Sequence, residues 1–190
     1  MKLAFNEIRA DEYVEAVEAR ELGAMLLERV AEHEHLRDAQ IGYIFRDDEI
    51  TRRGKVVEAE AILVERILQS EKRYGRIVRW AILRVLPQFG ETPPDFIVLI
   101  DRNIWEGLQL EERVALIDHE LSHCWYATED DGVTQKFHMD GSPWWAIRGH
   151  DVEEFCGVVE RNGLWKEDLI PFARAIVDSL AQSGRRSAVA

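Results

Sequence analysis

The residues His119, Glu120 and His123 belong to the pattern His-Glu-Leu-Ser-His, in which the two histidines are four positions apart. On an α-helix, side chains at positions i and i+4 lie one turn apart on the same face, so both imidazoles can bind one metal ion. Glu120 is offset by about 100° from His119, which favours proton transfer over ligation. The pattern predicts a zinc site with His119 and His123 as ligands and Glu120 as general base.

A catalytic zinc ion takes three protein ligands and leaves one position for water, so a third ligand is needed outside this helical turn. The downstream candidates are His138, His150, Glu153 and Glu154. His150 begins the segment that leads into the next predicted helix, and a hairpin that connects two helices can bring this start against the histidine pair. We favour His150 as the third ligand, with Glu153, Glu154 and His138 as the alternatives.

A zinc-bound histidine usually donates its second ring N–H to a carboxylate or a carbonyl group. The carboxylates near the candidate ligands are Asp118, Asp151, Glu153 and Glu154. Acidic side chains at a helix start also complement the helix dipole, so their presence has an ordinary structural explanation as well. Asp151, Glu153 and Glu154 are therefore candidates for the outer partners of the metal ligands.

Four elements must position these residues. The apolar, β-branched run over residues 96–101 predicts a buried strand, and residues 111–126 are predicted to form the helix that carries the histidines. Residues 133–139 and 143–148 flank Asp140-Gly141-Ser142, which is typical of a hairpin. A further helix is expected over residues 151–163.

Single residues of these elements have simpler interpretations. Cys124 is interpreted as a small buried core residue, because its side chain points about 100° away from that of His123. Trp144 and Trp145 place one indole on each face of the hairpin, one on the core and one at a groove edge. His33 and His35 are two residues apart on a predicted helix, so they point to different sides and do not suggest a metal pair.

The remaining elements complete an α+β pattern. Residues 11–37, 73–86 and 166–182 are predicted to be helical, residues 41–48 form a strand, and residues 56–65 fit a strand with a helix as competitor. We expect an α+β fold, in which a small, mostly antiparallel sheet packs on the helix that carries the histidines, with flanking helices.

Three segments follow from this pattern. They are an N-terminal helical segment over residues 1–37, a domain over residues 38–182 that contains the histidine pattern, and a frayed tail over residues 183–190.

The composition narrows the class of protein. The 190 residues contain 24 Lys and Arg against 36 Asp and Glu, a formal net charge of −12, which makes nucleic-acid binding by the whole surface unlikely. Two cysteines are too few for a disulfide-stapled secreted scaffold. No uncharged run reaches the roughly 18 residues that a membrane span needs. We expect a cytoplasmic protein without membrane partners.

The segments HELSHCWY and RGHDVEEF, together with IGYIFRD and FIVLIDRNIW, carry a family resemblance. Over about residues 41–165 the chain resembles the phage metallopeptidase family and, more distantly, the SprT-like (Spartan) zinc proteases. In the SprT-like pattern the histidine of the Gly-His stretch is the third zinc ligand, which corresponds to His150. The segment ATEDDGVTQKFHMDGS is longer than the SprT-like spacer, and a DNA-binding tail is not evident, so a role in DNA–protein crosslink repair is not transferred.

The resemblance implies a zinc-dependent metallopeptidase of phage or prophage origin, with residues 38–182 as a zincin-like metallopeptidase domain. Its cofactor would be Zn²⁺, its substrate a protein or peptide, and Glu120 would act as the general base that activates water. The alternative from a different class is a non-catalytic zinc-binding domain that acts as a structural or host-interaction module. Glu120 counts against this alternative, because a structural zinc site has no use for a general base.

Overall fold

A computed structural model of the chain shows how these segments fold. It describes residues 13–47, 49, 51–52, 54–68, 85–89, 92–150, 155–167, 169–171, 173–174 and 176–177. The chain forms two compact units, residues 1–149 and residues 150–190, and each is described by itself. The predicted helix over residues 73–86 lies almost wholly outside the described residues, as does the tail over 183–190.

The first unit contains eight strands and four helices among the described residues. The strands are β1 (Tyr13–Glu15), β2 (Ile41–Arg46), β3 (Thr51–Arg52), β4 (Lys55–Val56), β5 (Ala59–Leu63), β6 (Phe96–Asp101), β7 (Cys124–Tyr126) and β8 (Trp145–Ile147). The helices are α1 (Val17–Arg29), α2 (Val64–Leu68), α3 (Arg102–Gly107) and α4 (Leu110–His123), with 3₁₀ segments at Ala31–Leu36 and Pro87–Phe89.

The main sheet has the strand order β1-β2-β6-β5. β6 pairs in parallel with β2 and antiparallel with β5, and β1 pairs antiparallel with β2. Every residue of β6 is buried. This confirms the buried strand that the apolar, β-branched run over residues 96–101 predicts. Two of the three pairings are antiparallel, so the expected small, mostly antiparallel sheet of an α+β fold is confirmed.

Helix α4 packs against both α1 and β5. Its start is fixed by the Glu112 carboxylate, which accepts a hydrogen bond of 2.8 Å from the backbone N–H of Gln109. On α1, Ala19, Gly23 and Leu26 form the buried stripe, at spacings of four and three residues. The helix that carries the histidines is therefore held between the sheet and a second helix.

Three predicted boundaries are wrong. Residues 11–37 are not one helix, because Tyr13–Glu15 pairs as β1 with the end of β2. The helix over 111–126 ends at His123, because Cys124–Tyr126 pairs with Trp145–Ile147. Of residues 56–65, Val56 ends β4, Ala59–Leu63 form β5, and α2 begins at Val64. In each case a pairing partner distant in sequence decides the conformation, which a local pattern does not contain.

The second unit contains helix α5 (Cys156–Asn162) among the described residues. The prediction of a helix over residues 151–163 is confirmed over this range, and residues 151–154 lie outside the described part. The helix ends at Gly163, whose φ of 73° is readily adopted by a residue without Cβ. Of the helix predicted over 166–182, only isolated stretches are described.

Candidate metal centre

Helix α4 places His119 and His123 on one face near its C-terminal end. Their ring centroids are 5.0 Å apart and the rings are inclined at 80°. His119 is buried, with 5% of its surface exposed, whereas His123 is half-buried. The preceding residues Ala115, Leu116 and Ile117 are all buried, so this part of the helix lies in the core. The predicted i, i+4 pair is therefore formed on a rigid element.

The imidazole of His123 is fixed by the chain that returns to the helix end. Its Nδ1 lies 2.7 Å from the carbonyl oxygen of Arg148, and the backbone N–H of Arg148 donates a 2.9 Å hydrogen bond to the carbonyl oxygen of His123. A carbonyl oxygen only accepts hydrogen bonds, so Nδ1 carries the proton. Nε2 is then the ring nitrogen with which His123 can bind a metal.

The segment between His123 and Arg148 is a small β structure. β7 and β8 pair antiparallel, and further bridges join Thr128 to Gln135 and Phe137 to Pro143. The turn predicted at residues 140–142 is confirmed: the N–H of Gly141 bonds to the carbonyl of His138, and φ of Gly141 is 84°. The chain that leaves the end of α4 at Cys124 therefore returns to the same helix end at Arg148, two residues before His150.

His150 directly follows Gly149 and is exposed. One ligand nitrogen each from His119, His123 and His150 lie within 4.8 Å of one another, a group that could hold a metal ion. With Zn–N bonds of about 2.0–2.1 Å, nitrogens on a tetrahedral zinc ion are about 3.3 Å apart. The three nitrogens exceed this spacing by at most about 1.5 Å. Three imidazoles also match the donor set of catalytic zinc sites.

Of the alternatives for the third ligand, His138 is described, whereas Glu153 and Glu154 lie outside the described residues. His138 is in the small β structure, where its ring stacks on that of Trp144 at 5.2 Å and 20°. It is not part of the metal-capable group found among the described residues. Asp151, Glu153 and Glu154, the candidates for outer partners, lie outside the described residues. Among the described residues, His123 has a backbone carbonyl as its partner, that of Arg148.

Glu120 is buried beside the histidine pair, with 3% of its surface exposed. The neighbouring Cys124 is fully buried, as expected for a small core residue. Burial, and secondarily the charge of Glu120, raise the pKa of the Cys124 thiol well above its usual value. The thiol therefore stays protonated at neutral pH and is a poor competitor of the imidazoles for a metal ion.

The two tryptophans divide as the alternation predicts. Trp145 is 8% exposed and meets the ring of Phe96 at 5.5 Å, whereas Trp144 is 46% exposed. The guanidinium of Arg148 lies over the ring of Trp125, 5.1 Å from its centroid. Aromatic residues therefore lie near both ends of the segment between His123 and Arg148: Trp125 near its start, and Trp144 and Trp145 near its end.

Sequence reasoning missed a buried contact between the 3₁₀ segment and α4. His33 Nε2 lies 2.7 Å from Asp118 Oδ1, and His35 Nε2 lies 3.0 Å from the carbonyl oxygen of Cys124. A signal for this contact exists in the sequence, because an Asp directly before a metal-binding pattern on a core-facing helix needs a buried partner. The identity of that partner, 85 residues away, is not contained in the local pattern.

The comparisons with known proteins agree with this geometry. A family model described as "Putative phage metallopeptidase" matches residues 11–180. No curated protein and no solved structure gave a significant match to the chain. Within the described residues, none of the helices is long and apolar enough to span a membrane. Since the match covers most of the chain, the protein belongs to the family described as putative phage metallopeptidase.

Proposed function

We propose that the protein is a zinc-dependent peptidase, in which His119, His123 and His150 hold the metal and Glu120 is the general base. The observation that supports the proposal is the group of three imidazole nitrogens within 4.8 Å, with a buried glutamate next to the first ligand in sequence. When bound, a zinc ion polarises a carbonyl group and makes water acidic enough to lose a proton near neutral pH.

Glu120 carries the proton transfers, and Arg148 orients one of the ligands. Glu120 accepts a proton from water as the water oxygen forms a bond to the peptide carbonyl carbon. It then delivers this proton to the amide nitrogen as the C–N bond breaks, so that an amine and a carboxyl group leave. Because Glu120 is buried, little bulk water competes for its carboxylate. Arg148 keeps the ring of His123 in one tautomer through the 2.7 Å hydrogen bond to its carbonyl.

The proposal is tested by metal content and hydrolysis on the same samples. Zinc would be measured by mass spectrometry on the wild type, Glu120→Gln and the matched control Glu111→Gln, an exposed glutamate on the same helix. Hydrolysis would be measured on a proteome-derived peptide library, which makes no assumption about the cleavage site. We expect about one zinc per chain in all three proteins and a loss of hydrolysis of about 10²-fold or more in Glu120→Gln alone.

The other outcomes are equally informative. Equal hydrolysis by the wild type and Glu120→Gln would overturn the role of Glu120. Zinc in the wild type without any hydrolysis would support the non-catalytic zinc-binding domain instead. A wild type that binds no metal after zinc is resupplied would overturn the whole proposal.

A further inference from the structure

Of two histidines in the 3₁₀ segment Ala31–Leu36, one contacts helix α4 before its metal-binding turn and the other contacts the residue that follows the helix. His33 reaches Asp118, the residue before His119, and His35 reaches the carbonyl of Cys124, the residue after His123. The His33–Asp118 contact is the more buried one, since the two residues are 1% and 0% exposed. The two contacts thus bracket the pair of candidate ligands.

The direction of the Asp118 side chain allows the His33–Asp118 contact to control the rotation of α4 about its own axis. Asp118 and His119 are successive residues of an α-helix, so their side chains project about 100° apart. A partner held on Asp118 therefore fixes the rotation of the helix about its own axis. At a radius of about 5–6 Å, a rotation of 10° displaces a side-chain atom by about 1 Å. Metal–ligand distances tolerate only about 0.2 Å, so this rotation matters for the ligands.

The chemistry of the contact makes it directional. An apolar side chain at position 33 could slide against the helix, whereas a hydrogen bond of 2.7 Å fixes one atom against another. A buried carboxylate also costs free energy when it loses a hydrogen-bond donor, so Asp118 cannot rotate away from His33 without penalty. The Ser122 hydroxyl donates a 2.8 Å hydrogen bond to the Asp118 carbonyl and shares its side of the helix. The His33 contact therefore holds the side of α4 next to the ligand face, whereas the Ser122 bond lies within the helix.

We infer that His33 is a positioning residue for the metal centre: through Asp118 it sets the rotation of α4 that directs His119 and His123 to one point. His35 holds the end of the same turn through Cys124. The inference rests on the proposed function, since it concerns the same ligands. It assigns a role in the metal centre to the 3₁₀ segment Ala31–Leu36, which lies outside the metal-binding pattern His119–His123.

The experiment compares the affinity for Zn²⁺ and Co²⁺ of full-length variants, measured by competition with a chromophoric chelator. The variants are His33→Ala, the conservative His33→Gln, whose amide can still donate to Asp118, and the control Arg46→Met. Arg46 is equally buried and pairs with Asp101 at 3.4 Å and with the Val57 carbonyl, which lie outside α4. The control therefore breaks a buried pair of similar type away from the helix.

We expect His33→Ala to weaken metal affinity about 10-fold and to change the visible spectrum of the Co²⁺ form, with partial rescue in His33→Gln. Arg46→Met should lower the unfolding midpoint yet leave metal affinity unchanged. Unchanged affinity and spectrum in His33→Ala would overturn the inference. An equal loss of affinity in Arg46→Met would also overturn it, because the effect would then reflect overall stability.

A second measurement separates this inference from the proposed function. If the wild type bound no metal, the proposed function would fail, and amide hydrogen exchange on the same metal-free proteins would decide the inference. His33→Ala should speed exchange at residues 119–124 more than in β6, and Arg46→Met should do the reverse. Equal exchange at residues 119–124 in the wild type and His33→Ala would overturn the role of His33.

Discussion

His123 and Arg148 exchange two hydrogen bonds: Nδ1 of the histidine to the arginine carbonyl at 2.7 Å, and the arginine N–H to the histidine carbonyl at 2.9 Å. The two residues are 25 positions apart, and the intervening chain forms the small β structure that starts with β7 and ends with β8. This exchange orients the second candidate ligand and returns the chain to the helix end two residues before His150.

The identity of the third ligand leads to the first prediction. His150→Ala should weaken zinc affinity by more than the roughly 10–100-fold expected for loss of an outer partner, because a ligand itself is removed. His138→Ala should leave the affinity unchanged, since His138 stacks on Trp144 and is outside the three-histidine group. The measurement is chelator competition on both variants. Full zinc affinity in His150→Ala, with a loss in His138→Ala, would contradict the assignment.

Metal removal should lower stability as well as activity. A ligand that binds only the folded state stabilises it by about 2.7 kcal/mol at a concentration of 100 times its Kd. We therefore expect a chelator to lower the thermal unfolding midpoint of the wild type, and added zinc to restore it. His119→Ala, which lacks the buried ligand, serves as the control and should show the same midpoint with and without chelator. A wild-type midpoint that ignores both reagents would refute the prediction.

The sequence predicts the placement of the histidine pair better than that of the elements around it. The pattern around His119 predicts an i, i+4 pair on a helix because helical spacing is a local property, and the structure confirms this pair. The end of that helix was misplaced, because β7 exists only by pairing with β8. The role of His33 was missed for the same reason, since its partner Asp118 is 85 residues away.

The packing of α1 on the sheet allows a test of the fold. A Cβ at Gly23 would collide with the hydroxyl of Tyr43 and approach its Cζ to 2.6 Å, and Tyr43 is only 3% exposed. Gly23→Ala should therefore destabilise the protein by about 1–3 kcal/mol, although alanine is the better helix former. Gly107→Ala is the matched control: a Cβ there meets open space in the described part, so the change should be within about 1 kcal/mol. Urea unfolding distinguishes the two, and equal stabilities would argue against this packing.

The last prediction concerns pH and His35. Burial is the main cause that lowers the pKa of His35, and the nearby charges of His33 and Arg148 lower it further, against hydrogen bonds to the carbonyls of Cys124 and Glu32. The unfolded chain, with an ordinary histidine pKa of about 6.5, therefore takes up this proton at a higher pH than the folded protein. The contribution of His35 to stability is complete above about pH 6.5 and is lost as the pH falls towards the lower pKa of the folded state.

The variant His35→Gln isolates this contribution, because glutamine can donate to a carbonyl but does not titrate. Urea unfolding at several pH values between 7.5 and 5, with chelator present, removes the effect of metal binding to the other histidines. The free energy of unfolding of the wild type should fall more steeply with decreasing pH than that of His35→Gln. The other five histidines are present in both proteins, so the difference in slope belongs to His35. Parallel curves would show that His35 has the same pKa in the folded and unfolded states, contrary to its burial against the end of α4.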